Sequence, residues 1–173
     1  MTAAPAHVAL LTDAFERIAQ EARRVLRGAG PELLAFRPDP EANSAAWLVW
    51  HLVRVQDDHV ADVAGTRQRW TAGGWAERFA LPLDPSDTGY GHTADQVAAV
   101  RVDAELLRGY LDDVHAATLA YLSSVTEDEL DRVVDTRWDP PVTLAVRLVS
   151  VIGDDLQHVG QAAYVRGLAE RAG

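Results

Sequence analysis

Asp154 and His158 stand four residues apart in the stretch Val151-Ile152-Gly153-Asp154-Asp155-Leu156-Gln157-His158-Val159-Gly160-Gln161. On a helix that spacing puts a carboxylate and an imidazole on one face, about 6 Å apart along the axis. Val151, Ala162 and Val165 share much of that face, so it turns toward a core. A carboxylate and an imidazole so placed suit one divalent cation. They equally suit an ion pair on a half-exposed face, or a histidine satisfied inside the core. His51 adds a third group. It lies on the apolar stripe of Trp47-Leu48-Val49-Trp50-His51-Leu52, where an unpaired imidazole is costly to bury. A carboxylate or a metal ion on another helix would supply its partner, and so would a backbone or loop group. Two histidines and one carboxylate from two helices make a three-ligand site with open positions.

The other histidines separate by context. His59 follows His51 by about 12 Å of helix rise, too far for both to hold one ion. Gln56, Asp57 and Asp58 beside it predict a solvated face. His7 and His115 stand among polar residues and are expected at the surface. His92, in Gly89-Tyr90-Gly91-His92-Thr93, is flanked by glycines just before a helix start, where a loop can close over a pocket. It is the one candidate for a catalytic role. Trp47 and Trp50 read as bundle core. Trp70, Trp75 and Trp138 fall in or beside loops, as pocket lining or as a lid.

Several chemistries are excluded. The sequence has no cysteine, which removes a disulfide framework, a thiolate zinc site and a cysteine nucleophile together. All 16 basic residues are arginine, so there is no lysine for Schiff-base or general-base work. No Gly-x-Ser-x-Gly elbow and no glycine-rich phosphate loop occurs. With 26 acidic residues the net charge is -10, which weighs against nucleic acid and anionic membranes as partners. The longest apolar run, Ala45-Ala46-Trp47-Leu48-Val49-Trp50, falls far short of a membrane span. The start, Met1-Thr2-Ala3-Ala4-Pro5-Ala6-His7, lacks the pattern of a signal peptide, so a cytoplasmic location is expected.

The elements that must position these groups are helices. Apolar spacing predicts one over residues 6–27, carrying Val8, Leu11, Phe15, Ile18, Ala22 and Val25. A second is predicted over residues 43–63, capped by Asn43 or Ser44 and closed by Gly65. Residues 67–92 read as a long irregular connection. Thr93-Ala94-Asp95-Gln96 is a capping box that opens a third helix running through Leu107 and Leu111 to Leu122. A second box, Thr126-Glu127-Asp128-Glu129, opens a short turn. Pro140-Pro141 bars a helix there, and Arg132-Val133-Val134-Asp135 is too short to seed a sheet. The last helix starts near Thr143 and passes Leu168. The chain is therefore expected to be all-α, one domain over residues 1–173, a four-helix bundle with a long loop between the second and third helices.

Two segments carry a resemblance. Asn43-Ser44-Ala45-Ala46-Trp47-Leu48-Val49-Trp50-His51-Leu52 and Asp154-Asp155-Leu156-Gln157-His158-Val159-Gly160-Gln161-Ala162-Ala163-Tyr164-Val165-Arg166-Gly167 resemble the signature helices of the DinB-like four-helix superfamily. That superfamily includes bacterial thiol-dependent transferases and mycothiol-dependent maleylpyruvate isomerase. The resemblance implies a divalent metal, zinc or nickel, held by His51, His158 and Asp154. Asp154 falls where many members have histidine and the isomerase group has glutamate, so its reach is shorter; Asp155 is the alternative ligand. It further implies a metal-dependent enzyme that transfers a low-molecular-weight thiol such as mycothiol to a small electrophile, or isomerises that electrophile. The lysine-free, alanine-rich composition suits a high-GC bacterial genome, and with it mycothiol. A homodimer is also implied. The alternatives are a non-catalytic metal- or ligand-binding bundle and a metal-dependent hydrolase.

Overall fold

A computed structural model describes residues 4–172; residues 1–3 of the N-terminal stretch considered above, and residue 173, lie outside it. Four long helices make the bundle: α1 (Ala6–Leu26), α3 (Ala45–Ala64), α7 (Ala104–Leu122) and α8 (Leu144–Ala172). Between them run the short helices α2 (Pro31–Ala35), α4 (Arg69–Ala72), α5 (Trp75–Phe79) and α6 (Ala94–Ala99). The long helices form a square in which α3 packs on α8 and α7, and α1 packs on the same two. The pairing of α3 with α8 matters most for the chemistry, because those helices carry His51, Asp154 and His158. No helix among the described residues is long and apolar enough to cross a membrane.

The physical reasons for the boundaries are local. Ser44 Oγ accepts the amide of Trp47 and starts α3; Gly65, in the left-handed region, ends it. The core between the helices holds Phe15, Ile18 and Ala22 from α1, Leu48, Trp50 and Leu52 from α3, Leu107 and Leu111 from α7, and Leu148 and Val151 from α8. Exposed apolar side chains instead gather on α8, at Val146, Val149, Leu156 and Tyr164.

Several expectations are corrected. The capping box at Thr93 is formed in both directions, with Thr93 and Gln96 exchanging side-chain and backbone bonds, but it opens only α6. The chain leaves the helix at Val100 and starts again where Asp103 Oδ1 accepts the amide of Leu106 at 2.7 Å. An aspartate competing for a backbone amide is enough to reset a helix, with no glycine or proline to announce it. The segment dismissed as too short for a sheet forms β1 (Val133–Asp135), which pairs antiparallel with β2 (Val142–Thr143). Asp135 holds that ladder in place by receiving both Arg137 and Arg147.

The long connection is irregular only in part, over residues 80–92, and its first half carries α4 and α5. Asp57 on α3, expected at a solvated face, is buried and accepts the amides of Arg69 and Trp70, capping α4 from a neighbouring helix. Gln56 is also buried, donating to Thr118 Oγ1 at 2.7 Å. Trp70 and Trp75 are buried within α4 and α5, where Trp75 Nε1 donates to Asp113. Trp138 alone of the three stays exposed. His115 is buried, against expectation, with Nε2 4.0 Å from Glu16 on α1. His7 is half-buried against the Val125 carbonyl, 3.0 Å away.

Candidate metal centre

His51, Asp154 and His158 converge. Each offers one ligand atom, and the three atoms lie within 4.8 Å of one another. The face that α3 turns to α8 brings His51 to the pair on α8, and the two imidazoles meet edge to face with centroids 4.6 Å apart. The ligand atoms of a tetrahedral ion with bonds of 2.0–2.2 Å stand roughly 3.4 Å apart, so this set would need side-chain adjustments to hold one ion.

Each ring is oriented through its Nδ1. His51 Nδ1 lies 2.5 Å from the Thr88 carbonyl, and His158 Nδ1 lies 2.8 Å from the Asp154 carbonyl one turn back. A carbonyl only accepts, so both Nδ1 atoms carry the proton and Nε2 is left with the lone pair in the neutral ring. Burial lowers the pKa of His51, the Thr88 carbonyl opposing, so the neutral imidazole is favoured there. The Asp154 carboxylate, 3.3 Å from His158 Nδ1, raises the pKa of His158 and is itself held below the usual carboxylate range by that contact. Asp154 Oδ2, the oxygen in that contact, is buried and makes no aligned hydrogen bond. A polar oxygen left over beside two oriented imidazoles fits a cation, and the nitrogen–oxygen donor set suits zinc or nickel.

The remaining candidates fall elsewhere. Asp155, the alternative ligand, is fully buried and stands outside the converging group, with neither carboxylate oxygen hydrogen-bonded. His92 is near the site, but its side chain is only 2% exposed. Its Nδ1 accepts from Trp47 Nε1 at 3.0 Å, its Nε2 lies 2.9 Å from Asp87 Oδ2, and its ring stacks on Trp50. His59 takes Arg147 as its neighbour, Nδ1 to Nη1 at 3.1 Å.

Two contributors were not foreseen. Trp47 stacks on His51 with centroids 4.6 Å apart and planes at 14°, forming a wall of the site. Its place one helical turn before His51 was the available signal. The Thr88 carbonyl had none, because any residue type can present a backbone oxygen.

The sequence profile of the DinB superfamily matches residues 14–162. The chain belongs to the DinB superfamily. A structure described as "Crystal structure of the conserved protein of locus from Enterococcus faecalis" is similar to it at 34% identity, with a TM-score of 0.87. The likeness covers 93% of this chain and 95% of that one. No curated protein matches the chain. The DinB superfamily is commonly metal-binding, and the His–Asp–His cluster on α3 and α8 is the candidate metal site of this DinB chain.

Proposed function

We propose that this DinB chain binds zinc or nickel through His51, Asp154 and His158 and works as a thiol-dependent metalloenzyme. Its substrate would be a small electrophile, to which it transfers a low-molecular-weight thiol such as mycothiol, or which it isomerises. The observation that supports this is the convergence of three ligand atoms from two helices, with both histidines holding Nδ1 against a backbone carbonyl.

A divalent cation with open coordination positions lowers the pKa of a thiol that reaches it, so that the thiolate is available near neutral pH. The residues of the chain prepare that chemistry. His51 stays neutral through burial, Asp154 supplies one negative charge, and the Trp47 ring shields one side of His51 from water. The chain contains no cysteine, so the thiol comes from a second molecule. The same proposal takes residues 1–173 as one cytoplasmic domain that pairs as a homodimer, with nucleic acid and membranes outside its partners.

The test is metal analysis of purified protein, followed by a fluorescence assay with monochlorobimane and a panel of thiols that includes mycothiol. Stoichiometric zinc or nickel with conjugation that needs both thiol and metal is the expected result. Metal-dependent hydrolysis without thiol dependence would favour the hydrolase, and bound metal without turnover the binding bundle. Protein that takes up no divalent metal would overturn the proposal.

A further inference from the structure

The connection between α5 and α6 reaches His51 through a single glycine. Gly89 has φ +96°, a backbone conformation that side-chain-bearing residues rarely adopt. A Cβ placed on it would stand 2.7 Å from His51 Nδ1, 3.1 Å from the Trp50 ring and 3.2 Å from the Trp47 ring. Backbone and imidazole therefore meet where no side chain fits. The preceding residue, Thr88, supplies the carbonyl that lies 2.5 Å from the same Nδ1.

This turn is fixed from three directions. Arg54, with no exposed surface, donates from Nε to the Asp87 carbonyl at 3.1 Å. Asp87 Oδ1 accepts the Gly89 amide at 3.2 Å. Asp87 Oδ2 lies 2.9 Å from His92 Nε2, and His92 Nδ1 accepts from Trp47 Nε1. Trp47 then stacks on His51, closing a circuit around the ring. A tryptophan N–H only donates, so the hydrogen of His92 is carried by Nε2, which stands close to Asp87 Oδ2 without an aligned hydrogen bond.

We infer that the Asp87–Thr88–Gly89 turn is the positioning device of the metal centre, with Gly89 and Asp87 its positioning residues. The turn locks His51 as the Nδ1–H tautomer and aims Nε2 at Asp154 and His158. Partners of this kind, one shell out from a metal ligand, commonly change metal affinity 10- to 100-fold when altered. The inference rests on the metal-centre reading above, but the tautomer is a property of the metal-free chain.

The test uses the full chain and two glycines of the same loop. Gly89→Ala and Gly91→Ala both force alanine into the left-handed region, yet a Cβ at Gly91 meets nothing within 4 Å. Metal-free protein labelled with 15N in its histidines reports the tautomer of His51 by long-range 1H–15N correlation, and titration with zinc reports affinity. The expected result is the Nδ1–H form in the unmodified chain, lost in Gly89→Ala together with about a 10- to 100-fold weaker zinc affinity. Gly91→Ala should keep both. Asp87→Asn retains the volume and places an amide N–H against either His92 Nε2–H or the Gly89 amide. It should weaken zinc binding about tenfold and decides the matter if Gly89→Ala fails to fold. Equal losses in Gly89→Ala and Gly91→Ala, or an unchanged tautomer and affinity in Gly89→Ala and Asp87→Asn, would overturn the inference. An unmodified chain that takes up no zinc would overturn the metal reading instead, while the tautomer still decides the role of the turn.

Discussion

His51 and His158 cross at 75° with ring centroids 4.6 Å apart, one imidazole on the second long helix of the bundle and the other on the last. Burial foremost, and His158 whenever it is protonated, act to keep His51 neutral, against the Thr88 carbonyl and the Asp154 carboxylate. Neutral nitrogen at close quarters with a carboxylate is a state ready for a cation rather than for a second proton.

Replacing His158 with alanine should remove most of the bound zinc while the helical circular dichroism stays near that of the unmodified chain. Its ring is on the margin of the core, whereas α8 is held by Leu148, Val151 and Val159. Asp154→Ala should behave similarly. Asp155→Asn should retain the metal, because Asp155 is outside the converging group. Metal lost from the Asp155 variant and kept in the Asp154 variant would refute the ligand assignment.

Asp155 carries a different expectation. A fully buried carboxyl whose two oxygens have no hydrogen-bond partner costs stability, about 1–3 kcal/mol for an unsatisfied buried group. Asp155→Val, measured by urea denaturation of metal-free protein, should therefore be more stable by an amount of that order. A lower urea midpoint would show that the carboxyl has a partner in solution.

Tyr110→Phe tests the anchoring of the long connection. Tyr110 donates to Asp57 Oδ2 at 2.8 Å, deep in the core. Burial pushes the Asp57 carboxyl up, and the Arg69 and Trp70 amides together with Tyr110 oppose that shift. Removing one donor to a buried charged group should lower stability by about 1.5–3 kcal/mol with zinc content unchanged. A variant as stable as the parent would mean that the two backbone amides suffice.

Asp135 predicts a pH dependence away from the metal centre. The Arg137 guanidinium first, with Arg147 also contributing, holds its carboxyl far below the usual range. A carboxyl depressed in the folded state stabilises above its unfolded pKa, and that stability is lost as the pH falls below it toward the folded value. Asp135→Asn should thus melt at a lower temperature than the parent at pH 7, and the gap should narrow as the pH is taken below about 4. A gap that stays constant over that range would remove the charge from the explanation.

Much of this molecule was legible in its sequence because the signals are periodic and local. The stripes of α1, α3 and α8, the Ser44 cap, the Gly65 stop and the Thr93 box each act within a few residues, so sequence spacing alone determines them. The pairing of Asp154 with His158 belongs to the same class, since four residues on a helix mean one face. Tertiary structure decided the rest. Asp57 and Gln56 look solvated in a string of polar residues, and only the approach of α4 and α7 turns them inward. Asp155 and Asp154 are neighbours with nearly equivalent chemistry, yet the rotation of α8 sends one into the core and the other toward His51. The Thr88 carbonyl and the close approach of the Gly89 backbone have no signature in residue type, because a backbone oxygen and an absent side chain acquire meaning only when the fold sets an imidazole against them.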